Sequence, residues 1–300
     1  MLEIQSTLRE QPLRLVIYGR GGVGKSTFCS KFPGVVFIPV ENGLANIDAK
    51  ATRQPTSWED FLSIVRELAT DDRFQAIAID SLDAAEMLSW HHVAKFIHKK
   101  PDVSSVGFKD GYASSLVQFR VLLNELEIAH RNGKAILLIA QATRKNIQNP
   151  MGDNYQSYAM KLYDGPAASV FGLIREWVDI VAFAQEDVAV DADKRKAYST
   201  GKRYLHLQPK AGYDAKTRYA LPDSIDFEYP VFEQAMREAS FTRIPEMKRQ
   251  VSELLSEVPD LTPKVESFLA SRANSVDAYT QAIELLKERV KQTKEFQKTA

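Results

Sequence analysis

Gly19-Arg20-Gly21-Gly22-Val23-Gly24-Lys25-Ser26 is the segment that decides the fold. It matches the pattern G-x-x-x-x-G-K-[S/T], which in phosphate-binding loops follows a strand and precedes a helix. Both flanks fit, because the β-rich run 13–18 predicts a buried strand and residues 25–32 predict a helix that Pro33-Gly34 ends. Backbone N–H groups of such a loop point at phosphates, and the start of the helix adds partial positive charge. The segment therefore predicts a site for a nucleoside triphosphate.

The loop also assigns individual ligands. Lys25 is expected to reach the β- and γ-phosphates, and the Ser26 hydroxyl is expected to ligate Mg²⁺. Four apolar residues, 76–79, lead to Asp80 in the form of a Walker B strand, so the carboxylate of Asp80 should hold the same Mg²⁺ through water. The residues expected to contact the nucleotide are Gly19, Gly21, Gly22, Val23, Gly24, Lys25, Ser26 and Thr27.

Apolar strands alternate with amphipathic helices along the next part of the chain. Strands are predicted at 35–40, 76–79 and 135–140, and helices at Trp58–Ala69 and Ser115–His130. This alternation predicts an α/β fold with a mostly parallel sheet covered by helices on both faces. Ligands of such sheets bind at the carboxyl ends of the strands, where Gly19, Glu41, Asp80 and Gln141 fall.

Later segments are less regular. Residues 142–169 show no clean period and are expected to form a long loop that is functional or mobile. Strands are predicted at 178–183 and 204–208, joined as a hairpin by the polar segment 191–201. From about residue 245 the spacing predicts two helices, one around Val251–Val258 and one along Val276–Val290, separated by prolines. We therefore expect a P-loop ATPase domain at 1–244 and a small helical appendage at 245–300.

Bulk composition excludes several classes of protein. The sequence is 44% hydrophobic, which suits a globular core, and its 39 Lys and Arg balance its 39 Asp and Glu. Cys29 is the single cysteine, so an internal disulfide is impossible and a reducing compartment is expected. No run approaches the roughly 18 apolar residues of a membrane helix, and the start of the chain, 1–4, is not a signal peptide. A cytoplasmic protein without a membrane partner is expected.

The residue that activates water separates the classes of P-loop ATPase. Hydrolysis needs a base or an orienting group beside the attacking water. In many ATPases a Glu follows the Walker B Asp directly, but here Ser81 does, and the next acids are Asp83 and Glu86. Glu41 instead follows the strand that comes after the loop helix, so we assign this role to Glu41.

In this order of motifs the sequence resembles the RecA-like recombinase core. That family has a phosphate loop, a strand ending in a catalytic Glu, a Walker B Asp-Ser and a strand ending in Gln, matched here by Lys25-Ser26, Glu41, Asp80-Ser81 and Gln141. The resemblance implies ATP as the nucleotide, and it implies that Gln141 senses the γ-phosphate and couples it to the segment that follows.

A further match is Ala215-Lys216-Thr217-Arg218-Tyr219-Ala220-Leu221-Pro222. In RecA-like filaments two basic residues two apart, soon followed by Pro, reach into the neighbour's ATP site. By that resemblance Lys216 and Arg218 act in trans on the γ-phosphate, where cations stabilise developing charge. Activity would then depend on a homo-oligomer, a ring or a filament, with ATP at the subunit interface.

The nearer resemblance, over residues 10–235, is to compact phage-encoded RecA-like ATPases with roles in homologous recombination and single-strand annealing. It implies single-stranded DNA as a partner, allows for a single-strand-binding protein as another, and places the protein in the host cytoplasm. Basic residues beside aromatic ones suit single strands. The best candidate DNA surface is Arg144, Lys145 and Lys161, with Tyr155 and Tyr158 between them; the others are Lys95, His98, Lys99 and Lys100, and Lys194, Arg195, Lys196, Lys202 and Arg203.

Two alternatives stay open. The first is a switch ATPase of the ParA and MinD type, which binds a protein partner. That class carries a signature lysine where this chain has Arg20, and an Asp-rich motif where this chain has Glu41-Asn42-Gly43. The second is a module that binds ATP and hydrolyses little of it.

Overall fold

A computed structural model describes residues 11–107, 110–150, 152–166, 168–191, 196–241, 244–272 and 276–299. The strands are β1 Arg14–Gly19, β2 Val35–Pro39, β3 Lys50–Ala51, β4 Ala76–Asp80, β5 Ala135–Ile147, β6 Tyr155–Met160, β7 Ile180–Asp191, β8 Lys196–His206, β9 Lys216–Thr217 and β10 Ser224–Asp226. The α-helices are α1 Lys25–Cys29, α2 Trp58–Ala69, α3 Leu82–His92, α4 Asp110–Arg131, α5 Val170–Trp177, α6 Tyr229–Phe241, α7 Ile244–Glu257, α8 Thr262–Ser271 and α9 Val276–Thr299.

The chain separates into two compact units, one from Pro12 to Glu233 and one that includes the helices from Gln234 onward. In the first unit the strand order is β10-β8-β7-β1-β5-β4-β2-β3, with β6 paired to β5 and β9 to β7. Every pair from β7 through β1, β5, β4 and β2 to β3 is parallel, and the pairs made by β6, β8, β9 and β10 are antiparallel. The expected α/β fold with a mostly parallel sheet is confirmed.

One face of this sheet is covered by long helices. The alternate strand residues that face them include Val16, Tyr18, Ile38, Ile79 and Leu138. They share one apolar core with α2, α4 and α5. The helix predicted at Trp58–Ala69 is observed with those bounds, because Ser57 accepts a hydrogen bond from the Asp60 N–H and caps its start. The sheet therefore holds the phosphate loop on a rigid support.

The segment after Gln141 differs from the expected loop. β5 continues through Gln141 to Ile147 and turns into β6, with Arg144 opposite Tyr158 in antiparallel register. The prediction of a structureless 142–169 is wrong for this part. Many side chains of the hairpin are half-buried or exposed on both faces, so polar residues occupy both and the period-2 signal of a strand is lost.

The later hairpin is present and longer than predicted. β7 and β8 pair from Phe183↔His206 to Asp191↔Lys196, so the strands take up most of the segment expected to connect them. Lys194 and Arg195, two of the candidate DNA contacts, lie outside the described residues, as does the N-terminal segment 1–4.

After α6, the described part of the chain contains three helices where the sequence predicts two. The core of the second unit joins α7, α8 and α9 through residues such as Met247, Leu269, Ile283 and Leu286. α8 was missed because it buries only Val265 and Leu269, and because the prolines near its start read as breaks. Proline is well tolerated in the first turn of a helix. The domain boundary predicted at 244/245 stays a prediction, and the two compact units divide between Glu233 and Gln234.

Candidate nucleotide site

The ends of β1, β2 and β4 meet Gln141, which lies inside the longer β5, at one edge of the sheet. Parallel pairing sets Gly19 level with Gln141, Asp80 level with Ile139, and Pro39 level with Asp80. Glu41 follows β2 by two residues, and its N–H and that of Val40 both donate to the Asp80 carbonyl, at 3.4 and 2.8 Å. The predicted loop, Walker B carboxylate, candidate base and candidate sensor therefore lie beside one another.

Glycines give the loop its path. Gly22 and Gly24 have φ angles of 80° and 105°, which side chains other than glycine rarely adopt. Gly19 is needed for another reason, since a Cβ there would lie 2.4 Å from the Ala184 carbonyl oxygen on β7. α1 then begins at Lys25 but is only five residues long, so it ends before the predicted Phe32. The dipole of so short a helix is weaker than that of a long helix.

Lys25 is buried inside the loop. Its ammonium group donates to the Gly19 carbonyl at 2.9 Å, the Arg20 carbonyl at 3.0 Å and Gln141 Oε1 at 3.3 Å. Burial lowers the pKa of Lys25, and three nearby carboxylates oppose that shift, those of Asp80, Asp83 and Glu41. The ammonium is thus held by neutral acceptors that a phosphate can replace.

Ser26 and Asp80 bring two oxygens together. The Ser26 hydroxyl donates to Asp80 Oδ2 at 2.5 Å, and the carboxyl group of Asp80 is buried. Burial raises the pKa of Asp80, the Ser26 hydrogen bond opposes the rise, and the charge of Glu41 adds to it. Mg²⁺ prefers oxygen ligands and usually keeps waters and phosphates with one or two carboxylates, so this pair fits it. Within the described ranges no three His, Cys, Asp or Glu side chains gather as a metal site.

Glu41 is half-buried at the rim of the site. The charge of Glu41 raises the pKa of both Lys25 and Asp80, so its carboxylate lies close enough to both groups to interact with them electrostatically. Among the residues that the structure describes, none donates a hydrogen bond to this carboxylate. Glu41 is therefore placed to bind a water molecule.

Two acids of α3 that the sequence assessed only as possible bases have other partners. Asp83 Oδ1 accepts the Gln141 N–H at 3.0 Å, and Glu86 accepts the Tyr163 N–H through both oxygens at 3.0 and 3.1 Å. Gln141 lies in β5 and Tyr163 follows β6, so one helix holds both ends of the hairpin. Burial raises the pKa of Glu86 to about 7. The i, i+3 spacing of the two acids was the available signal.

Lys216 and Arg218 do not join the site of their own subunit. Lys216 Nζ donates to the carbonyls of Arg175, Glu176 and Val178 at 2.7, 3.2 and 2.9 Å, at the C-terminal end of α5. Such a cation stabilises the last carbonyls of a helix. The predicted role of both residues in a neighbouring site needs an oligomer and stays a prediction.

Arg218 pairs with Asp179 at 2.9 Å. Asp179 also pairs with Arg14 at 2.9 Å. Arg14 begins β1, whereas the phosphate loop follows the other end of that strand. The ion pairs therefore place Arg218 near the N-terminal end of β1, whereas Lys25 follows the C-terminal end of that strand.

The candidate DNA residues of the β5–β6 hairpin have different surroundings. Arg144 and Lys161 are exposed. Lys145 is partly neutralised, because its ammonium lies 2.6 Å from Asp164 Oδ2 and 3.8 Å from the centre of the Phe171 ring. Arg144 is thus the hairpin cation best placed to meet a phosphate.

Arg203 has a position that the sequence did not indicate. It was grouped with the late hairpin as a DNA contact, but its Nη1 donates to the Val23 carbonyl of the phosphate loop at 3.1 Å. The antiparallel register explains this, because Arg203 lies opposite Glu186, just beyond the level of Gly19. No sequence pattern reports a contact between residues so far apart along the chain.

Comparison with known proteins adds a family. None of the described helices is both long and apolar enough to cross a membrane. No curated protein matches the sequence. Among solved structures, the crystal structure of the RadB recombinase matches with a TM-score of 0.39 and 14% identity, over 72% of this chain and 86% of that one. Residues 11–219 match the family model described as an AAA domain. Because that match spans more than half of the sequence, the chain belongs to the AAA domain family.

Proposed function

We propose that this protein is a RecA-like ATPase that hydrolyses ATP and acts on single-stranded DNA, in homologous recombination or strand annealing of the phage type. The observation that carries the proposal is the 3.3 Å contact between Lys25 Nζ and Gln141 Oε1, beside Ser26 and Asp80. It joins the phosphate lysine to a glutamine in a strand that continues away from the site. Such a contact lets the nucleotide state be read by the rest of the protein.

The residues divide the work of hydrolysis. Loop N–H groups and Lys25 bind the β- and γ-phosphates and stabilise their charge. Ser26 and Asp80 would hold Mg²⁺, which neutralises charge on the same phosphates when it is bound. Glu41 orients a water molecule and accepts its proton while the water oxygen bonds to the γ-phosphorus and the bond to the β-phosphate oxygen breaks. ADP and phosphate are the products.

The hairpin supports the DNA part of the proposal. β5 is one unbroken strand from Ala135 to Ile147, so the exposed Arg144 lies three positions after the sensor Gln141. Asp83 and Glu86 hold both ends of the hairpin to α3. A change at the γ-phosphate is therefore coupled by short bonds to a surface that carries a cation and Tyr155, whose ring is exposed for stacking.

Assembly completes the proposed active form. We infer a ring or filament with ATP at each interface, in which Lys216 and Arg218 serve the neighbouring site and a single-strand-binding protein is a further partner. The ParA and MinD type of switch has less support, because the Glu41 N–H donates to the Asp80 carbonyl and the negative charge of Glu41 favours the charged form of Lys25.

The test is the rate of ATP hydrolysis with and without single-stranded DNA, at low and moderate salt. Single-stranded DNA should raise the hydrolysis rate of wild type severalfold at low salt and by a smaller factor at moderate salt. Lys25→Ala should not hydrolyse ATP under either condition. Arg144→Ala should weaken the DNA response and reduce its salt dependence by about one unit of slope. Arg66→Ala is the matched control, because Arg66 is an exposed arginine of α2 that pairs with Glu125 of α4. Hydrolysis that ignores DNA would remove the recombination role and favour a protein-binding switch.

A further inference from the structure

The end of α3 departs from regular helical geometry. At Val93 the helix passes into a π-helical turn, Val93–Ile97, and the His98 N–H donates to the Val93 carbonyl at 3.0 Å. Lys99 then takes a φ angle of 55°, and among the described residues other than glycine it alone has a positive φ. Glycine usually fills such a left-handed position after a helix, and π-helical turns are frequent at functional sites. None of the roles assigned above uses this segment.

The π-helical turn decides which side chains face outward. The buried positions of α3 follow a spacing of three and four that reaches Val93, so a regular helix would next bury Phe96 and Ile97. The wider turn instead brings His98 to the inner side, where its Nε2 forms a hydrogen bond with Ser114 Oγ of α4 at 2.9 Å. Phe96 and Ile97 are left 50% and 46% exposed. The turn thus presents two large apolar side chains to the outside.

Three exposed lysines, Lys95, Lys99 and Lys100, flank this apolar pair along the chain. Within the part of the chain that the structure describes, none of the three forms an ion pair with a carboxylate. The nearest acid along the chain is Asp102, and its carboxylate accepts hydrogen bonds from the segment 104–105. The surface 95–100 is therefore positively charged, although the protein as a whole has no net charge.

We propose that the surface 95–100 binds an acidic segment of another protein, in which Asp or Glu residues lie beside large apolar side chains. The carboxylates of that segment pair with the three lysines, and its apolar side chains cover Phe96 and Ile97. A nucleic acid fits less well, because the aliphatic side chain of Ile97 offers no flat surface on which a base can stack.

This surface is separate from the nucleotide site. Asp83, which bonds to Gln141, lies in the first turn of α3, whereas Lys95 lies beyond its last residue. The helical rise between Asp83 and Lys95 is roughly 18 Å. The inference therefore goes beyond the proposed function, and its test measures peptide binding rather than ATP hydrolysis.

The experiment begins with an array of random-sequence peptides, probed with the full chain as wild type and as Phe96→Ser. The peptides that lose their signal with Phe96→Ser should be enriched in Asp and Glu and in aromatic or large aliphatic residues. If Phe96→Ser fails to fold, Ile97→Ser takes its place on the array.

Fluorescence anisotropy then gives the affinity of one recovered peptide. Ile97→Ser should weaken binding roughly fivefold, because less apolar area is buried, and Lys100→Glu should weaken it roughly tenfold at low salt. The matched controls are Val117→Ser, at a valine 51% exposed on α4, and Lys264→Glu, at an exposed lysine of α8. Both controls should bind the peptide as wild type does.

Lys99→Gly separates peptide binding from folding. Glycine adopts the φ angle of this position without strain, so the variant should unfold at the same temperature as wild type or at a higher one. It lacks one cation of the surface, so it should bind the peptide about threefold more weakly. Thermal unfolding and the anisotropy titration are measured on the same samples. Unchanged peptide binding in Lys99→Gly and in Lys100→Glu would contradict the assigned role of the lysines.

The proposal is overturned if no peptide on the array depends on Phe96, or if the dependent peptides are not acidic. Oligothymidine and sedimentation velocity identify the occupant in that case. Weaker binding of oligothymidine by Phe96→Ser and Lys100→Glu would assign the surface to single-stranded DNA. A smaller oligomer of Phe96→Ser would assign it to a second copy of the chain.

Discussion

Gln141 Oε1 accepts a hydrogen bond from the buried ammonium of Lys25, at 3.3 Å. The amide oxygen is thereby directed at the lysine, which leaves the amide N–H₂ as the group that can donate to a phosphate oxygen. The Gln141 backbone is fixed separately, through the bond from its N–H to Asp83. One side chain thus bridges the phosphate lysine and the strand that leads to the hairpin.

Replacing Gln141 should slow hydrolysis more than it weakens binding. For Gln141→Ala we expect kcat to fall about 10–100-fold with a small change in KM, because a donor to the transition state is lost. Gln141→Glu is the shape-matched variant. Its carboxylate would pair with Lys25 and repel the γ-phosphate, so it should raise KM as well. Steady-state kinetics of both variants check this, and an unchanged kcat in Gln141→Ala would remove the sensor role.

Glu41 and Asp83 offer a direct comparison between two carboxylates. We expect Glu41→Gln to lower kcat by about 100-fold while ATP binding persists, because the amide cannot take the proton of the attacking water. Asp83→Asn keeps an acceptor for the Gln141 N–H, so its kcat should fall only a few-fold. Single-turnover hydrolysis and ATP binding are measured for each. The opposite ranking would give the base role to Asp83.

The trans role of Lys216 and Arg218 predicts complementation between two inactive variants. Lys25→Ala lacks a working site and Arg218→Ala lacks the donated cation. Random mixing should restore about a quarter of wild-type activity, since one interface in four joins an intact loop to an intact Arg218. The control mixes wild type with a subunit that carries both changes.

Failure to complement would leave Arg218 with the role seen in its own subunit, the ion pair with Asp179. In that case Arg218→Ala and Asp179→Asn should each lower the free energy of unfolding. The double variant should lower it by less than the sum of the two single effects. A double-mutant cycle of unfolding free energies measures that coupling.

Glu86 should make stability depend on pH. Its pKa is raised from 4.5 to about 7, mainly by burial, while the Tyr163 hydrogen bond opposes the rise. Between pH 4.5 and about pH 7, the folded state therefore keeps a proton on Glu86 that the unfolded state has lost. The free energy of unfolding should fall as pH rises through this window, by roughly 3 kcal/mol, and level off above pH 7.

Glu86→Gln is the matched variant for that test, because it keeps an acceptor for the Tyr163 N–H and cannot ionise. Urea unfolding of both proteins from pH 4.5 to 8 gives a difference in unfolding free energy that cancels the other titrating groups. We expect the unfolding free energy of wild type to fall relative to that of Glu86→Gln as pH rises. A difference that stays constant with pH would show that Glu86 has the same pKa in the folded and the unfolded state.

Local patterns were enough to predict the frame of the site. The runs 15–18 and 76–79, before Gly19 and Asp80, are buried strands because they consist of aliphatic residues and one tyrosine, and parallel pairing then fixes where their ends meet. The phosphate loop is equally local, since its glycines, Lys25 and Ser26 fall within eight consecutive residues. These features need no knowledge of distant contacts.

The remaining features depend on distant partners or on half-exposed surfaces. The contact of Arg203 with Val23 joins residues 180 positions apart. The β5–β6 hairpin was read as a loop because its exposed faces carry polar residues. α6 was not predicted because its apolar residues, such as Phe232, pack with Phe28 from far earlier in the chain. In each case the partner, rather than the segment itself, selects the structure.

The place of β1 in the sheet has a consequence for biosynthesis. Leu15 pairs with Leu137 on one side and with Ile180 on the other, so the strand that leads into the phosphate loop lies between two strands made much later. Contacts of such long range close slowly and only after the intervening chain exists. On the ribosome the sheet around the phosphate loop therefore cannot be completed until β7 has emerged, and a nascent chain that ends before β7 would expose at least one edge of β1 to chaperones or to aggregation.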